Sequence, residues 1–147
     1  MIKFYSTKDE YGWMSNFARY SIKESDWSLG VIYPTTEHYY QSKKSNNRDL
    51  EQWIISAPNP YAAMMAGRGL RPKEMKPNWE QIKFGVMLNA LMLKFTQHTD
   101  LRDKLLATFD PIHEDSPDDM VWGMKGADML GKLLMQVREK IRNQDSK

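Results

Sequence analysis

Residues 79–96 carry the longest apolar helical pattern in the chain. Trp79, Ile82, Val86, Ala90 and Leu93 recur at three- and four-residue spacing, and Met87, Leu91 and Phe95 widen the stripe. Apolar residues at that period need one helix face buried. A chain with such a helix has to wrap its other elements around it, so this segment is expected to be the central core helix. Asn78, with Gln81 three residues later, resembles a capping box at its start.

The flanking segments read as shorter helices with legible ends. Pro34 and the Thr35-Thr36 pair predict a helix over 36–45, capped by one of the threonines. Asn47 caps a second over 48–56, where Leu50, Trp53 and Ile54 form an apolar stripe. Asn59 and Pro60 start a third, which ends at Gly67 or Gly69. Thr99 is expected to cap a short helix through Leu101, Leu105 and Leu106. The last helix is expected over 127–143, with Leu130, Leu134, Val137 and Ile141 on its apolar face, and the tail 143–147 should fray.

Before Pro34 the chain reads differently. Residues 2–6, 18–22 and 27–33 are short stretches of β-formers, with turns marked by Asp26 and Gly30. Strands spaced this closely predict an antiparallel meander. The expected fold is α+β: a mainly helical single domain, spanning 1–147, with a short N-terminal antiparallel β-meander. The 147 residues suffice for one real core.

Composition removes several function classes. There is no cysteine, which excludes a disulfide framework, thiol catalysis and thiolate-held zinc. Histidines 38, 98 and 113 lie too far apart for metal-ligand spacing, and the acidic stretch 110–119 lacks the EF-hand pattern. No cofactor and no metal ion are expected. A net charge of +2 is not the footprint of a nonspecific nucleic-acid binder. No basic-then-apolar leader and no span-length apolar run occur, so a cytoplasmic protein without membrane contact is expected. Glycine-rich phosphate loops and the Gly-x-Ser-x-Gly elbow are absent too.

Polar side chains concentrate in Thr35-Thr36-Glu37-His38-Tyr39-Tyr40-Gln41, closed by Lys44. At helical spacing Glu37, Gln41 and Lys44 share one face. Glu37 falls in the first turn, where the helix dipole favours its anion. Such a face can be a solvated surface or a site. Arg68, Arg71, Lys73 and Lys76 follow in a loop that is either solvated or suited to phosphate oxygens.

The chain resembles the NADAR superfamily, the YbiA-like N-glycosidases, collinearly from about residue 2 to 140. The resemblance rests on Phe4-Tyr5-Ser6, Glu10-Tyr11-Gly12 and Ser15-Asn16-Phe17, and then on Thr35-x-Glu37-His38-x-x-Gln41-x-x-Lys44. Pro60-x-x-Ala63 with Gly67-Arg68, Trp79-x-x-x-Lys83-x-x-x-Met87, Lys94-Phe95 and Leu105-Leu106-Ala107-Thr108 follow in order. Asp119-x-x-Trp122-Gly123 and Leu130-Gly131-x-x-Leu134-Met135-x-x-Arg138 complete it. The chain departs from the family pattern at Lys76, Asn78, Phe109 and Asp128, and in a shortened loop between Trp122 and Gly131.

The resemblance implies hydrolysis of a C–N glycosidic bond in a ribosylated base. The implied partner is a small nucleotide-like molecule, such as a phosphorylated riboflavin-pathway intermediate; ADP-ribosylated nucleic acid is a second substrate class. It makes Glu37 and Asp119 the catalytic carboxylates, one steadying the oxocarbenium ion or orienting water, the other handling protons or ribose hydroxyls. Trp122 stacks on the base, and Tyr11 belongs to the same substrate-binding set. Asn16, Gln41 and Lys44 orient Glu37 or bind polar substrate edges. Arg68, Arg71 or Lys76 holds a 5′-phosphate. Two rival readings are a non-catalytic sensor of ADP-ribose or an NAD-derived nucleotide, and an interaction protein using the acidic loop.

Overall fold

A computed structural model of the chain describes residues 1–24 and 30–145. Among these, four short strands and six α-helices follow in chain order: β1 (Ile2–Phe4), β2 (Ile22–Lys23), β3 (Ile32–Tyr33), α1 (Thr36–Ser42), α2 (Arg48–Ile55), α3 (Pro60–Arg68), α4 (Trp79–Gln97), α5 (Thr99–Leu106), β4 (Ile112–Glu114) and α6 (Met129–Asp145). The mainly helical α+β class is the observed one. No helix among the described residues is long and apolar enough to cross a membrane.

Helix α4 is the axis, as its stripe predicts. Its Met87, Leu91 and Phe95 are buried against Leu101 and Leu105 of α5 and Leu134, Val137 and Ile141 of α6. Burying one such side chain contributes about 1.5–3 kcal/mol. The cluster closes over Ile2, Phe4 and Ile112 from the strands. On its other side α4 packs on α1, and Ala90 joins Tyr39, Ile22 and Tyr33 in a second cluster.

Capping follows the residues that predict it. Thr35, Asn47 and Asn59 accept from the backbone N–H groups of His38, Leu50 and Ala62, which satisfies donors that each helix start leaves open. Asn78 makes no such bond, so the expected capping box is not formed. Helix α5 starts one residue earlier than expected, with His98 at its cap position. Helix α6 runs through Asp145, so residues 143–145, expected to fray, are helical.

The strands depart from a three-strand meander. Among the described strands, β2 and β3 are the pair that runs antiparallel. Strand β1 pairs parallel with β4, Ile2 opposite Ile112 and Phe4 opposite Glu114. Residues 112–114, read as part of an acidic loop, therefore form a strand. In both strands alternate residues turn inward: Ile2, Phe4, Ile112 and Glu114 are buried, while Lys3 is exposed. The expected strand over 18–22 shrinks because 15–20 coil through tight turns, with Ala18 N donating to Ser15 O and Tyr20 N to Ala18 O. The expected turn at Asp26 and the start of the strand at 27–29 lie outside the described residues.

Candidate active site

A cavity of about 980 Å³ opens where the N-terminal loop, α1, α3, α4, β4 and the segment before α6 meet. Glu37, Gln41 and Lys44 line it from α1, and Asn16 from the N-terminal loop. Arg68 reaches it from α3, and Asp119 and Trp122 from the loop after β4. Seven of the ten residues singled out by sequence thus meet at one place. The other three do not line it. Arg71 is exposed and paired with Glu74 at 3.1 Å. Lys76 Nζ donates to Lys43 O at 2.6 Å, which ties it to the end of α1. Tyr11 packs beside Trp13 at 6.3 Å between centroids, against the main core.

Glu37 is only 8% exposed. Gln41 Nε2, one turn along the same helix, donates to its Oε1 at 2.8 Å. Burial pushes the Glu37 carboxyl up from the ordinary range. The Gln41 bond and the cations of Lys44 and Arg68 pull it back, and Asp119 pushes it up again. The first turn of α1 is pinned by Asn16: Glu37 N donates to its carbonyl at 3.3 Å, and Thr36 Oγ1 to its Oδ1 at 2.7 Å. Gln41 Oε1 is buried and has no partner among the described residues. Gly67 makes this crossing close, since a Cβ there would overlap Gln41 Oε1.

His38 lies on the same helix and turns away from the cavity. Its Nδ1 meets Thr35 Oγ1 at 2.9 Å and its Nε2 meets Ala57 O at 3.0 Å. A backbone carbonyl can only accept, so Nε2 carries hydrogen and Nδ1 receives the threonine proton. Burial lowers its pKa, and the neutral ring is a structural tie between α1 and the end of α2.

Asp119 is set by its own turn: Val121 N and Trp122 N donate to its Oδ1 at 3.0 and 2.8 Å. The Trp122 ring meets Tyr40 and Phe84 edge-on, with centroids 5.5 and 5.4 Å apart. Lys44 Nζ stands 5.5 Å from the Tyr40 ring centroid, and burial lowers its pKa against the pull of Glu37. Such aromatic contacts fix ring orientation.

Among the lining residues that the sequence does not single out as site residues are Glu114, Arg19 and Tyr61. Glu114, 7% exposed, enters from β4 because its parallel pairing turns it inward beside Phe4. The signal was there: Ile112-His113-Glu114 alternates like a strand, with a carboxylate where an inward apolar residue belongs. Arg19 lines the mouth from the N-terminal loop, with nothing local in sequence to mark it. Tyr61, 60% exposed, does so from α3.

Beneath the N-terminal loop, Lys94 is completely buried in α4. Its Nζ donates to Ser15 O at 2.9 Å and sits 5.7 Å from the Tyr20 ring centroid. Burial pushes its pKa down to about 7. The lysine therefore ties the core to the segment that carries Asn16. Among the described residues no three His, Asp or Glu side chains cluster as a metal site would require.

Comparison with known proteins agrees with the fold and the motif order. N-glycosidase YbiA of Escherichia coli (strain K12) is 41% identical over 146 residues, covering 96% of this chain and 88% of that protein. The NMR structure of E. coli YbiA superposes with a TM-score of 0.87 at 40% identity, covering 99% of this chain and 87% of that one. The riboflavin biosynthesis protein PYRR, chloroplastic, of Zea mays is 36% identical over 156 residues, covering 96% of this chain but 25% of that protein. The NADAR domain family matches residues 3–142, and the chain belongs to that family.

Proposed function

We propose that this protein is an N-glycosidase that hydrolyses the C–N bond between ribose and base in a phosphorylated, ribosylated base. The observation that carries the proposal is the meeting of Glu37, Asp119 and Trp122 in one cavity from distant parts of the chain. A ribosyl C–N bond breaks through an oxocarbenium-like transition state, which needs negative charge near the anomeric carbon and an oriented water. Glu37 and Asp119 supply those two functions. Trp122 offers a surface on which a heterocycle stacks. Gln41, which donates to Glu37 Oε1 at 2.8 Å, holds that carboxylate in place. Arg68, an exposed guanidinium on the rim, suits a 5′-phosphate.

The name of the maize relative, a riboflavin biosynthesis protein, makes ribosylated pyrimidine intermediates of riboflavin synthesis the first substrates to try. Glu37→Gln and Asp119→Asn each keep shape and remove charge. Each is expected to lower release of free base by about 10²–10⁴-fold, read by mass spectrometry of the products. Wild-type turnover in both folded variants would refute the assignment. A nucleotide that binds and returns intact would identify a sensor instead.

A further inference from the structure

We propose that Glu114 is the proton donor to the leaving base; this rests on the glycosidase reading above. An exocyclic amine or ring nitrogen leaves poorly as an anion. As the C1′–N bond breaks, its electron pair stays on nitrogen, and the Glu114 carboxyl supplies the proton that neutralises it. Water then forms the new bond to C1′ and gives its proton to another carboxylate that lines the cavity. That carboxylate releases the proton to solvent and Glu114 regains one from it, so the cycle closes as a hydrolysis.

Glu114 is built into the cavity wall rather than left on a mobile loop. Its backbone is fixed on both sides: Glu114 N donates to Asp128 Oδ1 at 3.2 Å, and Met124 N donates to Glu114 O at 2.7 Å. Gly123 leaves room for the carboxyl, since a Cβ there would lie 3.0 Å from Glu114 Oε2 and would overlap Ser116 Oγ. Asp128 adopts the left-handed backbone conformation, φ 53°, which favours asparagine, aspartate or glycine. Its Oδ2 is held by His113 Nδ1 at 2.6 Å.

What surrounds the two buried glutamates divides their roles. Burial raises the Glu37 carboxyl, and an amide donor and the cations of Lys44 and Arg68 pull it back toward its anion. Glu114 is pushed up to about 7, first by burial, then by the carboxylates of Asp119 and Asp128, with Ser116 pulling the other way. Two buried carboxyls in one cavity, one beside cations and one beside carboxylates, are an arrangement that acid and base catalysis can use.

The experiment compares wild type with Glu114→Gln on two substrates. One is a ribosylaminopyrimidine 5′-phosphate, whose amine needs a proton to leave. The other is p-nitrophenyl riboside 5-phosphate, whose phenolate leaves without one. The expected result is a kcat about 10²–10⁴-fold lower on the amine and within about threefold on the nitrophenyl compound, which also shows that the variant is folded. On the amine, wild-type kcat should fall as pH rises through about 7, and the variant should lack that limb. Equal loss on both substrates, no loss on either, or an unchanged alkaline limb would overturn the role of Glu114. A wild-type protein that cleaves neither compound would overturn the glycosidase reading itself and this inference with it.

Discussion

Replacing Lys94 by methionine is predicted to stabilise the protein at neutral pH and to flatten its stability profile above it. The ordinary lysine value is 10.5 and burial lowers this one to about 7. At 1.36 kcal/mol per unit, protonation of the folded state is about 5 kcal/mol less favourable than in the unfolded chain. Between those two values the unfolded chain holds a proton that the folded chain has lost, so stability rises with pH across that window. From pH 7 to pH 9 the gain from this group is about 2 kcal/mol. Lys94→Met lacks the group, and every other titration is common to both proteins. The variant leaves Ser15 O without its donor, at a cost of about 1–3 kcal/mol, against about 4 kcal/mol of burial penalty removed at pH 7. It should therefore be about 1–3 kcal/mol more stable than wild type at pH 7 and near parity at pH 9. Urea unfolding of both proteins at the two pH values measures this directly. If their stability differs by the same amount at pH 7 and pH 9, Lys94 does not titrate in that window and the reasoning fails.

Two further predictions separate the residues around the cavity. Arg68→Ala should raise KM for a 5′-phosphorylated substrate about tenfold or more, on the order of one charge-assisted hydrogen bond, while Arg71→Ala, outside the cavity, leaves KM unchanged; equal effects in steady-state kinetics would contradict this placement. Gly67→Ala forces its new methyl onto Gln41 Oε1, so thermal unfolding should report a loss of about 1–3 kcal/mol, together with reduced turnover as Gln41 is pushed from Glu37. A variant with wild-type stability would show that α1 and α3 do not approach as closely as described.

The helical part of this fold is legible because its signals are local. Thr35, Asn47 and Asn59 each mark a start within a few residues of the groups that they cap. The stripe of α4 needs only its own period. Pairing of β1 with β4 has no such local mark. It joins Ile2 to Ile112 across most of the chain, and a strand of three residues carries too little pattern to choose its partner. The same gap hid Glu114 among the carboxylates of 110–119. The cationic loop failed for a related reason. Residue type and spacing do not give direction, and Glu74, three residues after Arg71, takes that guanidinium outside the site.

Helix α1 also explains why its polar face is buried rather than solvated. Every residue from Thr36 to Ser42 is buried, which would be costly for Glu37 and Gln41 without partners. Asn16 holds the first turn from above, and Gln41 answers Glu37 from within the helix. That leaves the second carboxylate oxygen of Glu37, a cavity-lining residue, with capacity to spare. In the same cavity Glu114 is buried with carboxylates for charged neighbours. The two buried glutamates thus share burial, which raises both, and differ in their neighbours: an amide donor and two cations beside Glu37, carboxylates beside Glu114, with Asp119 raising both. A binding pocket for a nucleotide gains nothing from that opposition, because either buried acid alone would weaken affinity for a phosphate. Bond cleavage with a poor leaving group draws on an acid and a base in one site, and two buried carboxyls with unlike neighbours are the physical reason that the cavity reads as a reaction site and not a receptor.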